Sequence, residues 1–347
     1  MIASINADMT ASIDWLEFTV MGLTVEEVQV DILGLSSQEF SKLDKGRFGY
    51  RNQLKWSEGN LFILHNKETV TRNETETSET TDTMGVHVMI TGTGCRCFES
   101  RRALKQLLLF LTVLDDKVNF SRIDLAIDDF KNKTVNFERI HEAAINRHFT
   151  SRWNKWDELN SRKCATGEYI GRTMYFGSQT SSIFCRIYDK ALERIANGEK
   201  EEKVYDTWTR LEIIYKKDRA KMLVYYIVDN DLPVGHAIRG TLNQYIRFII
   251  PPKNADSNKS RWPSADWWNE LLAGVDKLQL TIQQETKSID DMTDWVERQI
   301  APTMAAILTA KNGEIDWLHQ ILSKGATRLS QRHRDAIEQY KQEVLNG

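Results

Sequence analysis

Three stretches of the chain alternate charged and apolar side chains: residues 121–129 (SRIDLAIDD), 172–190 (RTMYFGSQTSSIFCRIYDK) and 207–217 (TWTRLEIIYKK). In the first, Ile123, Leu125 and Ile127 alternate with Asp124, Ala126 and Asp128. In the second, Cys185 and Ile187 alternate with Arg186 and Tyr188. In the third, Leu211 and Ile213 alternate with Arg210 and Glu212. Period two puts each set on one side of a strand. If the strands are neighbours in one sheet, carboxylates, two arginines and a phenol share a surface. Those are parts for chemistry at a phosphodiester. Carboxylate oxygens suit hard cations such as Mg²⁺ or Mn²⁺, and such an ion polarises a phosphate oxygen. Asp124 and Glu212 are the expected ligands, because apolar strand positions bracket each of them. Asp128 is a third candidate, or else caps a turn at the strand end. The Tyr188 phenolate can attack phosphorus and hold the product covalently, with Arg186 or Lys190 favouring its charged form. Tyr169, Tyr175 and Tyr215 compete for that role. The plain alternative is a solvated sheet face carrying acids, with Tyr188 an ordinary strand residue.

Other chemistries find less support. None of the seven histidines stands two residues from another, so a His-hydrophobic-His metal clamp is absent. His87 alternates with Val86 and Val88 and can face the acidic set, as ligand, proton carrier or satisfied sheet-face histidine. Cys95 and Cys97 have no second pair at zinc-ligand spacing, so a thiolate metal site is not expected. The chain has no GxxxxGK[ST] and no GxGxxG, which removes the usual warrants for ATP hydrolysis and dinucleotide redox chemistry.

The elements that must position these groups follow from periodicity. Residues 12–20, 61–66 and 86–91 read as strands, the last closed by GTGCRCF. Thr24 with Glu27 three residues on is a capping box opening a short helix over 24–33. Gly46 and Gly49 beside aromatics mark a turn within 43–54. Residues 67–83, rich in Thr and Glu, read as a solvated loop or ragged hairpin. Residues 101–114 and 136–146 carry a helical period. Residues 172–217 form a long strand pair with the charged segment 193–203 as its tip, and 218–228 and 235–249 read as two helices. Pro, Asn and Ser make 251–263 (PPKNADSNKSRWP) a linker. Beyond it, 264–285, 293–308, 314–323 and 330–344 are helical. The expected architecture is α+β: an antiparallel sheet covered on one face by helices, with a C-terminal all-helical extension. It divides into a catalytic domain over 1–250, a linker over 251–263 and a helical domain or extension over 264–347.

A chain of 347 residues holds one large domain or two ordinary ones, and 41% hydrophobic with 27% charged residues describes a soluble globular protein. The net charge of -3 exerts no global pull on nucleic acid, so any such site is a local basic patch. Residues 147–163 supply one: Arg147, Arg152, Lys155, Arg162 and Lys163 stand against Asp157 and Glu158. Such a segment tracks a phosphate backbone while its tryptophans stack on bases. Otherwise it is a solvated loop whose tryptophans fill core gaps. No apolar run reaches transmembrane length and no secretory leader pattern opens the chain. A cytoplasmic location with free thiols and no membrane partner is expected.

These motifs resemble the replication initiation factor family: rolling-circle initiators of the staphylococcal plasmid type, related phage initiators and relaxases of some conjugative elements. The matching stretches are IDWLEFTV, GVHVMITGTGCR, SRIDLAIDD, YFGSQTSSIFCRIYDK and RLEIIYK, spanning residues 12 to 217; WPSADWWNELL resembles the phage and integrative-element branch. The resemblance implies an endonuclease and ligase that nicks one strand at an origin, keeps its tyrosine joined to the 5′ phosphate and leaves a 3′ hydroxyl. It implies Tyr188 as nucleophile with Arg186 beside it and Arg210 assisting. It implies Asp124 and Glu212 as a metal-binding pair, assisted by Asp128, for Mg²⁺ or Mn²⁺. DNA contacts are expected from Ser178, Lys190 and the basic 147–163 stretch. The implied partners are origin DNA as duplex, hairpin or single-stranded nick site, a host helicase and a second copy of the chain. Gln179 departs from the Arg that plasmid members often carry there, removing one phosphate contact. Three readings stand beside this one: a conjugative relaxase of the same chemistry, a hydrolytic metal nuclease with water as attacker, and a non-enzymatic origin-binding protein.

Overall fold

Strands whose side chains alternate can bury one face and still carry polar groups on the other. The computed structural model describes all residues except 1–2, 7, 67–83, 115–116, 197–205, 253–256, 279, 281–288, 298–300, 328, 330 and 347. In chain order the first part holds β1 (Ala3–Asn6), β2 (Met9–Val20), α1 (Val25–Glu27), β3 (Phe40–Leu43), β4 (Asn52–Trp56), β5 (Leu61–His65) and β6 (Val86–Thr91). Next come α2 (Gly92–Arg101), α3 (Leu104–Val113), β7 (Val118–Asp129), α4 (Phe137–Ile145), β8 (Phe149–Ser151) and β9 (Trp156–Arg162). Then follow β10 (Tyr169–Phe176), β11 (Ile183–Asp189), α5 (Lys190–Ala196), β12 (Thr209–Lys216), α6 (Asp218–Asp229), α7 (Val234–Tyr245), β13 (Ile246–Phe248) and α8 (Asp266–Leu272). The fold is α+β. One large sheet runs β3-β4-β5-β6-β2-β7-β12-β11-β10-β9, with β1 on β2, and β13 pairs β8 separately. The pairings are antiparallel.

One face of the sheet centre is apolar. Leu125 and Ile127 of β7, Leu211 and Ile213 of β12 and Ile187 of β11 are buried in one cluster with Leu223 and Ile227 of α6 and Ile238 of α7. Each such side chain contributes about 1.5–3 kcal/mol by leaving water. α6 packs on β7 and β12, and α7 on β2 and β7. Tyr215 lies on this covered face, its hydroxyl donating to Thr241 Oγ1 of α7 at 2.7 Å. That orientation removes Tyr215 from the competition for the polar face.

Local signals mark several element ends. Thr24 caps α1 with the reciprocal Glu27 bond of a capping box, and Asn136 caps α4 by accepting from the Arg139 amide at 2.9 Å. Elsewhere the structure differs from expectation. The GTGCRCF segment is the start of α2, because Gly94 lets the helix approach the β4–β5 turn region: a Cβ there would lie 2.4 Å from the Asn60 carbonyl oxygen. The segment between β11 and β12 begins as the helix α5 rather than a hairpin tip, and its remainder, 197–205, lies outside the described residues. So does the expected loop over 67–83. The basic stretch 147–163 is no loop: it forms β8 and the sheet-edge strand β9.

The expected linker over 251–263 does not separate two bodies. Ile249 bridges Ser264 in antiparallel fashion, and Phe248 meets Trp267 and Trp268 of α8 at ring-centroid distances of 5.1 and 5.0 Å. The Leu278 amide donates to the Gly240 carbonyl of α7 at 2.8 Å. Aromatic burial thus ties α8 to the sheet unit, and the compact units are Met1–Thr281 and Ile282–Gly347. The second unit carries α9 (Ile289–Trp295), α10 (Ala301–Ala310), α11 (Asp316–Ala326) and α12 (Gln331–Asn346).

Candidate active site

The three alternating stretches do become neighbours. In register, Arg186 of β11 faces Glu212 of β12, Tyr188 faces Arg210, and Arg210 in turn faces Asp128 of β7. Directly paired residues share a sheet face, so these groups lie opposite the helices. They are not a solvated decoration. Glu212, Asp124, Asp128 and Arg210 are all buried, at 0 to 4% exposure. A buried charge persists only when it is paired, and each of these has its partner.

Glu212 takes both of its partners from β11. Its Oε2 accepts from Arg186 Nε at 2.9 Å and from Arg186 Nη2. Its Oε1 accepts from the Tyr188 hydroxyl at 2.6 Å, with Arg210 Nη1 3.9 Å away. The Arg186 guanidinium also sits 4.9 Å from the Tyr188 ring centroid, and Lys190 Nζ sits 5.5 Å from it. Burial, and then the Glu212 charge, hold the Tyr188 phenol well above its ordinary pKa of 10. Tyr188 and Arg186 form part of the wall of a cleft of about 300 Å³, together with Arg172 and Thr173 of β10 and Glu193 of α5.

Asp128 and Asp124 are held by arginine forks. Arg210 donates Nε to Asp128 Oδ1 at 2.6 Å and Nη2 to Oδ2 at 2.8 Å, while its Nη1 donates to Asp14 Oδ1 at 2.7 Å. Trp208 Nε1 donates to the same Asp128 oxygen at 2.6 Å. Burial opposes the Arg210 charge, yet Asp128 and Asp14 outweigh it and raise its pKa. Arg122 donates Nε and Nη2 to Asp124 at 2.8 and 2.6 Å, and lies 4.4 Å over the Trp15 ring. Burial still pushes the Asp124 carboxyl up to about 7.

Asp14, Arg122 and Trp208 were not among the residues expected from the sequence. Arg122 had a visible signal, two positions before Asp124 on one strand face. Asp14 did not, because a register shift between Ile13 and Trp15 breaks the period of β2 there. Trp208 meets its partner across 80 positions of chain.

The expected metal set does not form. Among the described residues no three His, Cys, Asp or Glu side chains converge to hold a metal ion. The reason is the forks: the Asp124, Asp128 and Glu212 oxygens that a cation would need are taken by Arg122, Arg210 and Arg186. As arranged, this donor set does not fit a resident divalent ion. His87 does not serve it either. It pairs in register with Thr19, its Nδ1 lies 2.9 Å from Thr19 Oγ1, and burial lowers its pKa to about 4.

The residues expected to touch DNA spread along β9 and β10. Lys155 pairs with Asp157 at 2.7 Å. Arg162 lies 3.6 Å over the Tyr169 ring centroid, Lys163 pairs with Glu168 at 3.1 Å, and Ser178 Oγ lies 2.8 Å from Thr180 Oγ1. Arg147 and Arg152 are exposed, and Lys190 pairs with Glu193 beside Tyr188. The tryptophans of this stretch are packed rather than presented. Trp153 stacks on Tyr245 at 4.9 Å, donates Nε1 to the Ile183 carbonyl at 3.1 Å and abuts Gly177, where a Cβ would come within 2.6 Å of its ring. Trp156 stacks on Phe176 at 6.4 Å.

Residues 118–322 match the family model described as replication initiation factor, and residues 10–113 match that of the rolling circle replication initiation protein N-terminal domain. The chain belongs to the replication initiation factor family. Both matched segments contribute to the polar face: β2 with Asp14 comes from the first part of the chain, and β7, β11 and β12 come from the family match proper. A Bacillus subtilis (strain 168) protein named "Putative DNA relaxase NicK" is 24% identical over 350 residues, covering 99% of this chain and 93% of its own. The solved rolling circle replication initiator protein from Geobacillus stearothermophilus is 30% identical with a TM-score of 0.64, covering 79% of this chain and 98% of that one. Among the described residues no helix is long and apolar enough to cross a membrane.

Proposed function

We propose that this member of the family nicks and rejoins one DNA strand at a replication origin, with Tyr188 as the nucleophile. The observation that supports this best is the Tyr188 phenol in the cleft wall, flanked by Arg186 and Lys190 on the face opposite the helices. Its oxygen attacks phosphorus in line, a 5′-phosphotyrosyl bond forms, and the 3′ oxygen departs as a hydroxyl. The new bond is again a phosphodiester, so rejoining is the reverse step and needs no ATP. Arg186 is about one third exposed and can stabilise the charge that builds on the crowded phosphate. Arg210 is committed to two aspartates and acts by positioning the strands behind the reacting groups. The basic residues at both ends of β9 and β10 guide the strand, and origin DNA is the partner this requires. The Mg²⁺ or Mn²⁺ dependence implied by the resemblance is part of the proposal, but the steps above use no ion.

A second reading has one specific support. The Bacillus protein named as a relaxase aligns along nearly its whole length, so the same chemistry could serve conjugative transfer. Incubation with supercoiled origin DNA, followed by a denaturing gel, tests the shared chemistry. Wild type is expected to leave protein on a 5′ end, and Tyr188→Phe to bind DNA but leave none. Undiminished adducts in that variant overturn the assignment. Nicks without linked protein indicate water as the attacker.

A further inference from the structure

We infer that Glu212 is the base that takes the Tyr188 phenolic proton, and that the scissile phosphate arms it by drawing Arg186 away. This rests on the strand-transfer reading above. Three observations carry it. The Tyr188 hydroxyl already donates to Glu212 Oε1 at 2.6 Å, and both side chains are buried, so water does not stand between them. The two carboxylate oxygens divide their work: Oε2 faces Arg186 and Oε1 faces the phenol. The two nearby guanidiniums are also unequal. Arg210 is locked by the Asp128 fork and by Asp14, at 4% side-chain exposure. Arg186 is 34% exposed, lines the cleft and makes its ion pair with Glu212.

An arginine fork fits phosphate as well as carboxylate. A phosphodiester entering the cleft therefore competes with Glu212 for Arg186. Once Arg186 turns, Glu212 is a buried carboxylate without its main counter-charge, and its affinity for a proton rises. The phenolic proton is the one already hydrogen-bonded to it. That proton passes from Tyr188 Oη to Glu212 Oε1, the Oη–P bond forms, the P–O3′ bond breaks, and the 3′ oxygen leaves with a proton from water. Glu212 then releases its proton to water. In rejoining, the protonated acid returns a proton to the departing phenolate. Without DNA the Arg186–Glu212 pair keeps the carboxylate a weak base and the phenol protonated, so the nucleophile is inert until a phosphate arrives.

The groups whose titration bears on this site are named by the geometry: Arg186, Tyr188 and Cys185 on β11, Arg210 on β12, Asp124 and Asp128 on β7, Asp14 on β2 and Glu193 on α5. The test is the rate of adduct formation on a single-stranded origin oligonucleotide, measured against pH for the full chain. Glu212→Gln is expected to bind DNA and lose about 100-fold or more in rate. Its remaining rate is expected to rise tenfold per pH unit as hydroxide replaces the base. Placing 3-fluorotyrosine, a more acidic phenol, at position 188 is expected to restore part of that loss, which a merely structural role of Glu212 would not allow. Should Glu212→Gln fail to fold, Glu212→Asp keeps the charge but withdraws it from the phenol, and a loss of at least about 10-fold is expected. A wild-type rate and pH profile in either folded variant overturns the inference. If Tyr188→Phe abolishes adducts in the same assay, that result leaves the strand-transfer reading standing.

Discussion

Asp124 shows how burial and pairing compete at one carboxyl. Arg122 grips both of its oxygens, yet burial dominates and raises its pKa from the ordinary 3.8 to about 7. The folded state therefore holds this proton more tightly than the unfolded chain does. Its contribution to stability is complete below the ordinary value and is lost as pH rises through about 7. Asp124→Asn removes that dependence, so the stability of wild type relative to the variant should fall between pH 4 and 7 and then level off, as read from urea midpoints. Asp128 presents the opposite case, a partner rather than a titrating group. Asp128→Ala leaves the Arg210 guanidinium buried with Asp14 as its remaining close carboxylate, and unfolding free energy should drop by about 3–5 kcal/mol. Replacing both members, Asp128→Leu with Arg210→Met, should cost much less, since no orphaned charge remains. The sequence exposed Asp124, Arg186, Tyr188 and Glu212 because strict alternation forces each onto a predictable side. It concealed the role of Asp128, whose fork and tryptophan come from β12 and the segment before it, some 80 positions on.

At the scale of elements, alternation and capping were readable because they are local. The Thr24–Glu27 box and the strand character of β7 and β12 need only neighbours in sequence. The stretch 147–163 was ambiguous because its tryptophans answer to distant partners: Tyr245 for Trp153, Phe176 for Trp156. The same holds for α8, which looked detached beyond a Pro- and Asn-rich segment until Phe248 claimed Trp267 and Trp268. Trp153 supplies the test at this scale. As a packing residue it should, when changed to Ala, lower unfolding free energy on the order of 2–3 kcal/mol with little effect on oligonucleotide affinity at permissive temperature. A large affinity loss at unchanged stability would return it to the role of a base-stacking platform.

Across the whole molecule, sheet order brings β2, β7, β12 and β11 side by side from segments that stand far apart in the chain. That order is what turns three alternating stretches into one polar face, and it joins the parts matched by two family models. The α+β class and the family were legible beforehand; the arginine forks that occupy every expected metal ligand were not, because a fork is a property of register. Four tyrosines competed on sequence grounds, and the fold has separated them. Tyr215 faces α7, Tyr169 lies under Arg162, Tyr175 pairs in register with Arg186, and Tyr188 bonds Glu212. The central claim is that the phenol bonded to Glu212 becomes joined to DNA. Trapping the adduct on a labelled origin oligonucleotide, digesting both polymers and sequencing the peptide that keeps the label addresses it directly. The account predicts the nucleotide on Tyr188; label on Tyr175 or Tyr169, or on no tyrosine at all, would contradict it.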